Sequence, residues 1–171
     1  MGGWCYGGIV AHEMACQMQA LGEKVEMLIM LDSHVVMDED TRKAAEDMHS
    51  EVSREYFESE PLFEGMRQSG MLEALIQNSK YVSYDMMTHV PSFYSGKCLY
   101  FKPEVIPRNV GGGKKYWEKM LTEFDAGGFE NYIKRENLEL IKTPHEHDCM
   151  MDSESLDIIV PKIYRACDCL L

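Results

Sequence analysis

Apolar positions along the chain change spacing several times, and each change marks an element. Val10, Met14, Met18 and Leu21 recur at intervals of four, four and three residues, which is one face of an α-helix. Ala11 and Ala15 widen that face, while His12, Glu13, Gln17 and Gln19 fall mostly off it, and Gly22 supplies a left-handed stop. Residues 25–31 are then almost continuously apolar, the pattern of a parallel strand covered on both faces, with Asp32 and Ser33 at its C-terminal end. Strand character returns at 97–102, ended by Pro103 and Glu104, and at 138–142, followed by a loop with Pro144, His145 and His147. Trp117, Met120, Leu121 and Phe124 predict a helix ended by Gly127 and Gly128. A last helix is expected over 153–169, with Leu156, Ile159, Val160 and Ile163 facing inward.

Between these segments the character differs. Residues 38–64 hold ten acids and three bases in a helix-forming background, and the acid excess reads as a solvated face. Pro61 divides two helical stretches; Leu72, Leu75 and Ile76 give the second an apolar face, and a third stretch at 81–87 carries aromatics and methionines. The reading is a helical insertion at 39–95 between core segments 1–38 and 96–171, rather than a separate domain. Strands alternating with helices imply an α/β fold with a mainly parallel sheet. Chemistry in such sheets gathers at the C-terminal strand ends, and Asp32, Glu104 and His147 all lie just past one.

Composition narrows the function. The chain has 171 residues, 45% hydrophobic and 27% charged, the profile of a soluble globular domain. A formal net charge of -12 leaves no domain-wide basic footprint, which argues against nucleic acid as a partner. Arg108, Lys114, Lys115 and Lys119 form the one concentrated basic patch, read as solvated loop lysines, with contact to an acidic partner as the alternative. The longest apolar stretch is too short to span a bilayer. Gly2, Gly3, Gly7 and Gly8 interrupt any signal-peptide pattern. Cys5, Cys16, Cys98, Cys149, Cys167 and Cys169 follow no framework spacing, so they read as reduced thiols of a cytoplasmic protein. Cys16 and Cys98 read as small packed residues, and His12, His34, His49 and His89, with no motif around them, as surface or helical ones. Gly111, Gly112 and Gly113 predict a flexible loop.

One motif carries chemistry. Gly3-Trp4-Cys5-Tyr6-Gly7 has the form G-x-C-x-G and runs straight into a helix, the pattern of a nucleophile on a tight strand-to-helix turn. Glycines two before and two after the Cys avoid Cβ clashes in such a turn. The free N–H groups of the helix N-terminus stabilise a thiolate or a developing oxyanion there.

These residues, with Leu31-Asp32-Ser33 and the closing His147-Asp148-Cys149-Met150-Met151, resemble the α/β-hydrolase thioesterase domains that end nonribosomal peptide synthetases. The resemblance implies the C-terminal portion of an α/β-hydrolase fold, with residues 39–95 as its helical lid. It assigns Cys5 as nucleophile, Asp32 as acid, His147 as general base, and the backbone N–H of Tyr6 to the oxyanion hole. It implies release of a peptidyl chain, by hydrolysis or macrocyclisation, from the 4′-phosphopantetheine thioester of a peptidyl carrier domain, with no cofactor of the domain's own.

The sequence departs from the family in four places. Cys5 stands where Ser is usual, so the acyl intermediate is a thioester, more open to attack by amines than an oxyester. His145 replaces a glycine and competes with His147 as base, and Glu104 is the alternative acid. The chain also begins at the elbow: the strand into Cys5, the sheet before it and the loop with a second oxyanion donor are expected to be missing. A catalytically inactive fragment or interaction module is therefore the alternative. A zinc site from His145, His147 and Cys149, with Cys167 and Cys169 nearby in sequence, is a lesser one.

Overall fold

A computed structural model describes residues 1–36, 38–51, 54–59, 61–108 and 113–168. Gly111, Gly112 and Cys169 lie outside them. Four strands, β1 (Gly2–Trp4), β2 (Leu28–Leu31), β3 (Cys98–Pro103) and β4 (Leu138–Thr143), form one sheet in the order β1-β2-β3-β4. Every pairing is parallel, with Trp4 opposite Leu31, Leu31 opposite Phe101 and Phe101 opposite Ile141. The described helices are α1 (Tyr6–Ala20), α2 (Glu39–Glu51), α3 (Arg54–Ser59), α4 (Glu64–Gln68), α5 (Leu72–Thr88), α6 (Lys114–Glu123) and α7 (Ser153–Asp168).

The sheet is covered on both faces, which is why β3 is buried along its whole length. One face packs Leu28, Met30, Cys98 and Tyr100 against Ile9, Ala11 and Ala15 of α1 and against Phe129 and Ile133. The other packs Leu31, Leu99 and Phe101 against Met150 and against Ile159 and Ile163 of α7. A smaller cluster joins Ala44 and Ala45 of α2 to Tyr116 and Met120 of α6. The buried Lys102 reaches from β3 to α6, where its Nζ donates to the carbonyls of Leu121 (3.0 Å) and Phe124 and closes the helix end.

Several sequence expectations change. A short strand does lead into Cys5: Gly2–Trp4 pairs with Ile29–Leu31. The buried face of α1 is Gly8, Ile9, Ala11, His12, Ala15 and Cys16, whereas Val10, Met14 and Leu21 of the predicted stripe are exposed. Small residues win that face because they let the helix axis approach the sheet, which large side chains at 10 and 14 would hold away. Val160 also turns outward, leaving Ile159 as the buried anchor of α7. The residues at 81–87 belong to α5, continuous from Leu72, and β2 is only four residues long within the apolar run.

Candidate active site

The turn between β1 and α1 is tight and strained. Cys5 sits at φ 53°, ψ −124°, a backbone conformation that L-residues rarely adopt, and its N–H donates to Leu31 O at 2.9 Å. The surrounding glycines have unequal roles. A Cβ on Gly3 would lie 2.2 Å from the Gly7 carbonyl carbon, and one on Gly8 would lie 1.9 Å from Ser33 Oγ. A Cβ on Gly7 meets nothing within 4 Å, so the second glycine of the motif does not relieve a clash as expected; Gly8 does. The N–H of Tyr6 opens α1, and the Tyr6 hydroxyl donates to Asp85 Oδ2 of α5 at 3.0 Å.

Asp32 leaves β2 at φ 43°, with its N–H donating to Phe101 O at 2.9 Å. The following residues are clamped from two sides. Tyr100 donates its hydroxyl hydrogen to Ser33 O at 2.7 Å, and Val35 N–H donates to Gly127 O at 2.9 Å. Gly127 takes φ +60° with its would-be Cβ only 2.4 Å from Ser33 O, so only glycine fits there. The loop carrying it is tied by the Glu130 carboxylate, which accepts from the N–H groups of Asp125, Ala126 and Gly128 at 2.8, 3.0 and 2.9 Å.

His147 stands on the 3₁₀ turn after β4, and its Nδ1 is 2.6 Å from Asp32 Oδ2. Its ring lies between Trp4 and Trp117, with centroids 5.1 and 5.0 Å away. A second histidine approaches the same carboxylate: His34 Nε2 is 2.6 Å from Asp32 Oδ1, and His34 Nδ1 is 3.2 Å from the Tyr116 hydroxyl. Burial alone would raise the Asp32 pKa, but His34 and His147 outweigh it and hold the carboxyl well below its usual range. Burial alone would lower the His147 pKa; the charge of Cys5 and the bond to Asp32 overcome it and push the imidazole well upward. His147 and Asp32 thus form a buried pair at the C-terminal edge of the sheet, and the charge of Cys5 reaches the imidazole.

The alternative residues lie elsewhere. Glu104 is half-exposed and pairs with Lys142 Nζ at 3.2 Å. His145 faces a separate cavity of about 550 Å³ that Arg108, Glu146 and Cys149 also line. There the Glu146 carboxylate accepts from Arg108 N at 2.6 Å and Arg108 Nε at 3.1 Å. Other members of the basic patch are also paired, Lys114 with Glu118 at 3.7 Å and Lys119 with Glu123 at 2.9 Å. Among the described residues no group of three or more His, Cys, Asp or Glu is placed to hold a metal ion. No helix among them is long and apolar enough to cross a membrane.

Sequence reasoning missed His34 and His12, which it left as surface or helical residues. Both are buried, His12 against Tyr94 and Phe129 and His34 against Tyr116 and Trp117. The one signal for His34 was its place two residues past the acid, at a strand end.

A parallel sheet with a strained residue between its first strand and first helix is the arrangement of the α/β-hydrolase fold. Within that class the chain belongs to the Thioesterase domain family, whose model matches residues 1–98. Its fold is similar to the NocB thioesterase domain from the nocardicin cluster, at 21% identity and TM-score 0.59, over 98% of this chain and 63% of that one. It is similar to the Vlm2 thioesterase domain bound with a dodecadepsipeptide, at 15% identity and TM-score 0.64, over 96% of this chain and 67% of that one. It also resembles part of holo-AB3403, a four-domain nonribosomal peptide synthetase bound to AMP and glycine, at 17% identity and TM-score 0.62, over 96% of this chain and 14% of that one. The chain therefore spans less than two thirds of the NocB domain. No curated protein matches it.

Proposed function

We propose that this protein releases an acyl chain from a thioester through a covalent intermediate on Cys5. The observation that carries the reading is the strained Cys5 turn facing a buried His147–Asp32 pair. In the first half-reaction Cys5 Sγ attacks the thioester carbonyl while His147 takes the thiol proton. The Tyr6 N–H, at the N-terminus of α1, faces the developing oxyanion, and Asp32 steadies the imidazolium. Collapse expels the carrier thiol, which receives the proton from His147 and leaves an acyl-Cys5 thioester. In the second, His147 takes a proton from water, an amine or a hydroxyl as that nucleophile attacks, and Cys5 leaves protonated. The first nucleophile gives hydrolysis; an amine or hydroxyl within the acyl chain gives macrocyclisation.

The substrate in this reading is a peptidyl chain on the 4′-phosphopantetheine of a carrier domain. The family match and the likeness to domains of peptide synthetases support it. Residues 39–95 act as a lid over the site, and the Tyr6–Asp85 hydrogen bond supports a link between α5 and the turn that carries the nucleophile. The test uses a peptidyl N-acetylcysteamine thioester as probe. Intact-mass analysis is expected to find the acyl adduct on Cys5, and Cys5→Ala to abolish both adduct and turnover. Turnover that persists in Cys5→Ala overturns the assignment. A Cys5→Ser variant that partitions between water and an added amine just as the parent does would remove the case that the thiol favours aminolysis.

A further inference from the structure

The Asp32 carboxylate is shared. One oxygen serves His147, while the other meets His34 Nε2 at the same 2.6 Å, and His34 is held in turn by Tyr116 of α6. We propose that His34, fixed by Tyr116, is a positioning residue for Asp32: a donor that takes up part of the carboxylate's charge and so sets how firmly His147 holds its proton. This rests on the reading of Cys5, His147 and Asp32 as a catalytic set, and it names a fourth and fifth member that act only through Asp32.

The hydrogen assignments follow from what each group can supply. Tyr116 is fully buried near Cys5 and Asp32; burial first, and then those two charges, push its hydroxyl pKa well upward, so it remains an O–H donor. The Asp32 carboxylate can only accept, so the hydrogen in its 2.6 Å contact sits on His34 Nε2, and the Tyr116 hydroxyl, 3.2 Å from Nδ1, steadies the ring from the other side.

The other titratable groups facing Asp32 do not replace this arm. Tyr100 of β3 is buried, kept protonated by that burial and by Asp32, and gives its hydrogen to Ser33 O. Lys102 of β3 feels Asp32 but spends its ammonium on the carbonyls ending α6. Cys5 interacts with His147 on the other side of the site. His34 is thus the second side-chain donor on the carboxylate. Without it, Oδ1 is left bare in a buried site and Asp32 becomes more basic toward His147.

The test is an NMR titration of the imidazoles in the whole protein, with no substrate. In the parent, the nitrogen spectrum of His34 is expected to show a hydrogen on Nε2. In His34→Leu the titration midpoint of His147 is expected to rise by about one pH unit, because Asp32 loses a donor. His34→Gln, whose amide N–H can take the Nε2 place, should return the midpoint most of the way. Tyr116→Phe should loosen His34 and raise the His147 midpoint by less. An unchanged or lowered midpoint in His34→Leu overturns the proposal, as does a His34 with no hydrogen on Nε2. Loss of stability in His34→Leu without a shifted midpoint assigns a merely structural role. If the midpoints behave as expected but the parent does not turn over thioesters, the network stands and the thioesterase reading fails.

Discussion

The three glycines around Cys5 make a sharp test of the elbow, because the motif and the packing rank them differently. Gly7 is the motif glycine, yet an added Cβ there enters open space within the first turn of α1. Gly7→Ala should therefore be neutral or stabilise the fold by up to about 1 kcal/mol, through helix propensity and a less flexible unfolded chain. Gly8→Ala meets Ser33 Oγ at 1.9 Å, Ser33 Cβ at 2.9 Å and Gly3 O at 3.1 Å. The hydroxyl can rotate away, but the Ser33 Cβ and the Gly3 carbonyl cannot without moving backbone. Overpacking of this kind costs about 1–3 kcal/mol, offset by a helix gain of at most about 1, for a net loss of about 1–2 kcal/mol. With a urea slope of about 2 kcal/mol/M, that is a midpoint lowered by roughly 0.5–1 M. Ser33→Ala removes the 1.9 Å contact and leaves the 2.9 Å one, so in that background the Gly8→Ala loss should shrink by about half. Ser33→Ala itself costs little, since the Ser33 hydroxyl makes only a 3.5 Å bond to Leu31 O. Urea melts of the four variants decide the matter. Equal losses for Gly7→Ala and Gly8→Ala, or no rescue by Ser33→Ala, would refute the packing argument.

Other outcomes follow from the same geometry. Asp32→Asn should lower thioester turnover by orders of magnitude, because the amide cannot hold the imidazolium, while Glu104→Gln should leave it near the parent value; the reverse would make Glu104 the acid. Native-state alkylation with iodoacetamide, read by peptide mass, should reach the exposed Cys167 and the half-buried Cys5 well before Cys16 and Cys98, whose thiols burial pushes up to about 11 and about 12. Stability should fall at both ends of a pH series of urea melts. Asp32 titrates lower in the folded state, so its contribution is present above the ordinary carboxyl value of about 4 and fades as pH drops below it. His147 titrates higher when folded, so its contribution is full below about 6.5 and fades as pH rises through the raised value. A flat acid limb in the parent, or an unchanged one in Asp32→Asn, contradicts this account.

The amino-acid sequence by itself determined the class of fold and the order of the chemical groups. Local pattern suffices for both. Continuous apolar runs specify buried parallel strands, and a tight turn can be recognised from its glycines, which marked Cys5; Asp32 and His147 stood out by their places past strand ends and by the family resemblance. Choices that depend on which surfaces meet were decided only in three dimensions. The side of α1 that faces the sheet is chosen by close approach, so Gly8, Ala11 and Ala15 go inside and the larger Val10 and Met14 go out. The choice of Gly8 over Gly7 needs Ser33 across the gap, which sequence distance hides. The sequence held two candidate acids and two candidate bases at similar strand ends; the sheet register, the clamp of Tyr100 and Gly127 on the Asp32 loop, and the Trp4–Trp117 slot around His147 brought one of each together. His34 left only its place two residues past the acid as a signal, for the same reason. Its partners Asp32 and Tyr116 come from different elements, and a buried hydrogen-bond chain leaves no periodicity to read.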